Sequence, residues 1–276
     1  MTDNATILRL EHLTLGYPGR GDVFRDLGAT LRRGELVSLL GANGSGKSTL
    51  LKALAGNLRP SSGMVEVEGR NLATLPAMAR ARLVSIVTTE KGMPGGLTVE
   101  ELVAMGRYPH TGALGRHTPA DRRIIASAID AVGLTPLAGR LTATLSDGER
   151  QKAMIARALA QDTPVMLLDE PTAFLDAASR IETISLLRDL AAEHSRAILL
   201  STHDISPALR LSTRLWLVKP AASANPTPHT PVTDYPLSTL ITGTPAELAA
   251  SSDGLPSLFP GRAVRFSPST SEYLPL

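Results

Sequence analysis

The chain has no cysteine in its 276 residues, so neither a disulfide framework nor a thiolate metal site is open to it. That absence fits a reducing compartment. Aromatic residues make up 3% and the formal net charge is +2. No basic stripe is interleaved with aromatics, so both features of a nucleic-acid platform are missing, and no nucleic-acid partner is expected. The six histidines show no metal-ligand spacing. Long apolar runs are also lacking: the stretches at 36–40 and 165–168 fall far below the roughly 20 residues needed to span a bilayer. The first residues include Asp3 and Glu11 and hold no signal-peptide core. The expectation is a cytoplasmic chain that meets a membrane only through a partner protein.

What is present is the material of a globular core, with 43% hydrophobic against 20% charged residues. Residues 7–15 read as a strand, and Val65-Glu66-Val67-Glu68 alternates as a half-buried strand does before Gly69. Together they predict a small antiparallel subdomain. The apolar run at 36–40 feeds a glycine-rich loop and then a helix over about 47–55. The segment at roughly 92–160 is predicted to be mostly helical. Thr98 to Glu101 forms a capping box ahead of a helix ending at Gly106, and a second helix runs over 122–132 up to Gly133. Core strands at 165–168 and 197–200 flank a helix over 177–193, and such alternation implies a parallel α/β sheet. Prolines 220, 226, 228, 231 and 236 predict an extended linker, followed by a short helix opened by the capping box Thr244-Pro245-Ala246-Glu247. The organisation expected is one domain over 1–219, with the helical part at about 92–160 inserted, and a Pro-rich linker and short tail over 220–276.

Gly41-Ala42-Asn43-Gly44-Ser45-Gly46-Lys47-Ser48 fits G-x-x-x-x-G-K-[ST] at every fixed position, between a predicted strand and a predicted helix. A plain glycine turn needs none of that context. Glycines let backbone N–H groups turn inward on phosphate; Lys47 reaches the β- and γ-phosphates, and the Ser48 hydroxyl ligates Mg²⁺. The candidate nucleotide ligands are Gly41, Asn43, Gly44, Ser45, Gly46, Lys47, Ser48 and Thr49. Val165-Met166-Leu167-Leu168 delivers Asp169 and Glu170 to the carboxyl end of a buried strand, where ligands of α/β sheets bind. Side chains alternate along a strand, so the two carboxylates take different tasks: Asp169 holds Mg²⁺ and Glu170 polarises the attacking water.

Leu145-Ser146-Asp147-Gly148-Glu149-Arg150-Gln151 contains an S-x-x-E capping box. It also resembles the LSGGQ signature of ABC ATPases, with Asp147 in place of the first of the paired glycines. The resemblance spans about residues 5 to 219. It implies a P-loop NTPase (RecA-like) α/β core with a small antiparallel β-subdomain and an inserted α-helical subdomain. It further implies that Ser146, Gly148 and Glu149 face ATP held by a second copy in a head-to-tail dimer. Tyr17 looks like the aromatic that stacks on adenine, Ala173-Phe174-Leu175-Asp176 resembles the loop that crosses the dimer interface, and Ser201-Thr202-His203-Asp204 resembles the switch-histidine segment, in which His203 senses the γ-phosphate. One departure stands out: the family's glutamine between core and helical subdomain is missing from Ile86-Val87-Thr88-Thr89-Glu90-Lys91. Glu90 is taken as the substitute Mg²⁺ ligand; spacing from Arg82 selects Thr89 instead.

Thr98 to His110, with Arg107-Tyr108-Pro109, looks like the helical segment of importers for iron–siderophore complexes, haem and cobalamin. Thr172 to Asp176, Arg214-Leu215-Trp216 and Thr242 to Pro245 share that likeness. It implies separate integral-membrane permease chains, a substrate-binding protein, and a place on the cytoplasmic face of the cell membrane. Iron–siderophore import is the leading expectation, with haem or cobalamin as the alternative. A soluble ABC protein of DNA repair or translation would carry a long coiled coil or two cassettes. Here there is one cassette and no heptad run between Lys47 and Ser146. An exporter would usually fuse its membrane domain to the cassette, and only 16 residues precede Tyr17.

Overall fold

The structure is a computed structural model describing residues 5–19, 21–88, 96–112, 115–220, 237–258, 264–267, 269–270 and 272–275. Along the chain, β1 (Thr6–Tyr17) and β2 (Gly21–Arg32) form an antiparallel pair, followed by β3 (Leu36–Gly41), α1 (Lys47–Leu54), β4 (Ser62–Val67) and β5 (Arg70–Asn71). Next come α2 (Ala77–Ala81), β6 (Val84–Val87), α3 (Val99–Ala104), α4 (Pro119–Ala131), α5 (Asp147–Ala160), β7 (Val165–Leu168) and α6 (Ala177–Glu193). The chain finishes with β8 (Ala197–Ser201), α7 (Ile205–Leu211), β9 (Arg214–Pro220), β10 (Ser238–Gly243), α8 (Pro245–Ala250) and the hairpin β11 (Val264–Ser267) and β12 (Glu272–Pro275).

The main sheet has strand order β5-β4-β1-β2-β10-β9-β3-β8-β7-β6. From β9 to β6 neighbouring strands are parallel, and the end from β2 to β5 is antiparallel. Every residue of β3, β7 and β8 is buried, as expected for strands covered on both faces. Successive side chains go to opposite layers. Val165 and Leu167 join the cluster around α1 and the antiparallel strands, whereas Met166 and Leu168 join the cluster beneath α5 and α6. Among the described residues, no helix is long and apolar enough to cross a membrane.

Three expectations are corrected. The first helix of the inserted segment does not stop at Gly106; after α3 the chain continues as a 3₁₀ turn, Met105–His110. Gly106 is there for close approach, because a Cβ would lie 2.2 Å from the Arg157 carbonyl oxygen on α5. The second helix begins at Pro119 rather than 122, capped by Thr118 with Asp121 answering from its third position. Finally, the segment beyond 220 is more than a linker and tail. β10 pairs along β9 and touches β2 at Ser238 opposite Phe24, so it sits inside the main sheet. Residues 221–236, where most of the linker was expected, lie outside the described residues.

Candidate active site

β3, β8 and β7 are adjacent and parallel, so their carboxyl ends deliver three loops to one edge of the sheet. β3 ends at Gly41, where a Cβ would lie 2.7 Å from both Ser45 Oγ and the Val218 carbonyl oxygen. Gly44 (φ 78°) and Gly46 (φ 102°) take left-handed conformations that favour glycine. A Cβ on Gly46 would also meet Val23 and Phe24 at 2.8 Å, so β2 presses directly on the loop. Asn43, Gly44 and Ser48 are exposed, whereas Ser45, Lys47 and Thr49 are buried.

The Lys47 ammonium donates to the carbonyl oxygens of Gly41 (2.8 Å) and Ala42 (3.2 Å). Burial pushes its pKa below the ordinary lysine value, opposed by the negative charges of Glu170 and Asp169. Ser45 Oγ is buried and has no hydrogen-bond partner. A loop in which Gly41 and Gly46 leave no room for a Cβ and Gly44 is left-handed, with a desolvated cation and an orphan hydroxyl, fits a polyphosphate. Tyr17 OH lies 3.3 Å from Thr49 Oγ1, which brings the aromatic from the end of β1 onto α1.

At the end of β7, the Asp169 amide still bonds to the Val87 carbonyl (2.8 Å), after which Glu170 turns left-handed at φ 45°. Ser201, the last residue of β8, donates its hydroxyl proton to Asp169 Oδ1 (2.6 Å) and accepts from the Glu170 amide (2.8 Å). His203 Nδ1 stands 3.8 Å from Glu170 Oε2, and Asp204 receives Arg180 at 3.2 Å. Mg²⁺ prefers a few carboxylate or hydroxyl oxygens completed by phosphate and water, and the exposed Ser48 hydroxyl with the half-buried Asp169 carboxylate suits it. Glu90 and Thr89 lie outside the described residues.

The signature residues stand apart. Ser146 caps α5: its amide and hydroxyl both donate to Glu149 Oε2 (2.8 and 2.9 Å), and the Glu149 amide donates back to Ser146 Oγ. The Ser146 amide leads in holding the Glu149 carboxyl below its usual pKa. Among the described residues, no side-chain hydrogen bond links Ser146 or Glu149 to the glycine loop; the two bond each other within the first turn of α5. Gly148 has room, the nearest atom to an added Cβ being a Leu175 methyl at 3.9 Å, so packing within the chain does not require glycine there. Asp176 caps α6 through the Ser179 amide (2.9 Å), which lowers the pKa of its carboxyl. Sequence reasoning placed Ser201 only within the switch-histidine motif. Its bridging of Asp169 and Glu170 follows from β7 and β8 being neighbours, a pairing that local sequence does not show.

Glycine loop, lysine and paired carboxylates at the ends of adjacent parallel strands define a P-loop nucleoside triphosphatase. The family model described as ABC transporter matches residues 24–173. An uncharacterised ABC transporter ATP-binding protein of Methanocaldococcus jannaschii is 43% identical over 213 residues, 77% of this chain and 73% of its own. The ferric enterobactin transport ATP-binding protein of Escherichia coli is 39% identical over 215 residues, covering 78% and 79%. Among solved structures, an inward-facing ABC transporter described as of metal-chelate type superposes with a TM-score of 0.74 at 29% identity, covering 92% of this chain and 89% of that one. The chain belongs to the ABC transporter family, as an ATP-binding ATPase.

Proposed function

We propose that this ATPase is the nucleotide-binding subunit of an importer for a metal chelate, an iron–siderophore complex foremost, with haem or cobalamin as the alternative cargo. The observation that carries this reading is the likeness to several import subunits at once. Besides the enterobactin protein, the iron(3+)-hydroxamate import ATP-binding protein of Bacillus subtilis is 40% identical over 205 residues. The expected partners are a second copy of the chain, integral-membrane permease subunits and, through them, a substrate-binding protein. The expected place is the cytoplasmic face of the cell membrane.

In this reading Lys47 and the loop amides bind the β- and γ-phosphates, and Tyr17 stacks on adenine. Ser48 and Asp169 hold Mg²⁺, which supplies charge neutralisation on the phosphate oxygens. Glu170 takes the proton of the attacking water, and His203 contacts the γ-phosphate. Ser146 and Gly148 close on the nucleotide of the partner subunit, and the steric freedom at Gly148 supports an approach from outside the chain. ATP drives closure because it favours the closed pair over the open one, and hydrolysis removes that preference.

Glu170→Gln keeps the shape and removes the base, so turnover is expected to fall roughly 10²–10⁴-fold while ATP still binds. The test is recovery of tagged Glu170→Gln chain from detergent-solubilised native membranes in ATP. A co-purifying polytopic permease, with loss of ferric-siderophore uptake in cells bearing only this variant, supports the proposal. Recovery with soluble protein or nucleic acid alone overturns it.

A further inference from the structure

β7 and β8 are parallel with Leu168 beside Leu200, so the next residues, Asp169 just past β7 and Ser201 at the end of β8, stand side by side. Ser201 is fully buried. A hydroxyl has one proton and two lone pairs, and here the proton goes to Asp169 Oδ1 (2.6 Å) while a lone pair accepts the Glu170 amide (2.8 Å). The first bond is short and charge-assisted and fixes one oxygen of the carboxylate. The second holds the amide of a residue whose φ of 45° is unusual for a side chain of this kind. A residue in left-handed conformation persists only where its surroundings over-determine it, and the Ser201 hydroxyl is such a constraint.

We infer that Ser201 is a positioning residue for ATP hydrolysis, its hydroxyl locking the Asp169 carboxylate and the Glu170 backbone kink into one rigid unit. The inference rests on the assignment of Asp169 to Mg²⁺ and Glu170 to the attacking water. Packing alone does not call for a hydroxyl: the residues before Ser201 in β8 are Leu199 and Leu200, and an apolar side chain would fill the same interior. Such a side chain would free the carboxylate to rotate and leave the Glu170 amide unpaired. The consequence falls on alignment, where displacements of about 1 Å reduce rates on the order of 10²-fold.

The experiment compares Ser201→Ala with the full-length parent by steady-state kinetics and by binding of a fluorescent ATP analogue, with Mg²⁺ and with EDTA. The proposal expects kcat to fall about 10- to 100-fold with KM within about threefold, and the Mg²⁺-dependent gain in analogue affinity to shrink while affinity in EDTA is kept. Ser201→Thr and Ser201→Val have nearly the same shape and differ in the hydroxyl, so they separate positioning from packing and serve also if the alanine variant does not fold. Threonine recovering most of the turnover that valine loses supports the proposal. Equal loss in both, or wild-type kcat and Mg²⁺ response in Ser201→Ala, overturns it. Glu170→Gln is run beside them: if it keeps the parent's turnover, the failure lies in the assignment of the base rather than in Ser201.

Discussion

Lys47 shows what the site asks of a single residue. Its side chain is 6% exposed, and two backbone carbonyls stand where phosphate oxygens are expected to take over. Burial disfavours the ammonium, and the carboxylates of Glu170 and Asp169 offset that only in part, so its pKa lies below 10.5. The sign follows by linkage. A lysine with a depressed folded-state pKa binds its proton more tightly in the unfolded chain, so it opposes folding at low and neutral pH. That opposition fades as pH rises through the folded pKa towards 10.5. Lys47→Met is therefore expected to melt no lower than the parent when nucleotide is absent. ATP affinity, measured by calorimetry, is expected to fall about 100-fold or more, since hydrogen bonds to charged groups contribute roughly 1.5–3 kcal/mol each. A melting temperature more than about 5 °C below the parent would mean that the bonds to Gly41 and Ala42 hold the loop together.

Among the elements, the inserted helices depend on one buried ion pair. Arg107, in the 3₁₀ turn after α3, donates Nε to Asp121 Oδ1 (2.8 Å) and Nη1 to the Ala160 carbonyl at the end of α5 (2.9 Å). Asp121 also accepts the Thr118 amide and hydroxyl that start α4, so three elements meet at the Arg107–Asp121 pair. Thr118, its hydroxyl foremost and then its amide, holds the Asp121 pKa far below 3.8, with Arg107 adding to the effect. A depressed carboxylate contributes stability above the unfolded value and loses it as pH falls through the folded one, so this contribution declines from about pH 4 downward. Asp121→Ala leaves Arg107 buried without its partner, and urea titration is expected to show a loss of about 3–5 kcal/mol. Asp121→Asn is expected to lose less and to flatten the decline between about pH 4 and pH 2. A loss below about 1 kcal/mol for the alanine variant would mean that water reaches Arg107 and the pair is not buried in solution.

Element boundaries were legible where the signal is local. The helix expected over 177–193 is α6, residue for residue, because Asp176 caps it and its interior lacks Gly and Pro. The start of α4 was missed because its box is closed by aspartate, whereas the pattern sought has Glu or Gln at the third position. Gly106 read as a stop because a glycine after an apolar helix usually is one. Only the crossing of α5 reveals that its missing Cβ makes room for the Arg157 carbonyl.

At the scale of the whole molecule, the same contrast decides what holds the site in place. The phosphate loop and carboxylates were readable because each lies within a few residues of a strand end. The order of the strands depends on pairings between distant segments, and β10 entering between β2 and β9 has no local signature: its STLITG sequence is half polar and follows a run of prolines. Yet β10 joins the antiparallel strands to the parallel core, and Phe24, opposite Ser238, lies against Gly46 in the phosphate loop. Beyond β10, Leu248, Leu255, Leu258 and Phe266 are buried against Leu40, Leu215 and Leu217. Burying a large apolar side chain contributes about 1.5–3 kcal/mol, so these four supply roughly 6–12 kcal/mol before the strand pairing is counted. Domains are stable by only about 5–15 kcal/mol in total. A chain cut at 219, the boundary that sequence suggests, would keep every motif of the site and lose this cluster. It is expected to be insoluble or to melt without a cooperative transition, whereas a chain cut at 258, keeping β10, α8 and Leu258, is expected to fold and bind ATP with reduced stability. A 1–219 chain with the parent's melting temperature and ATP affinity would show that the antiparallel strands hold the phosphate loop without β10.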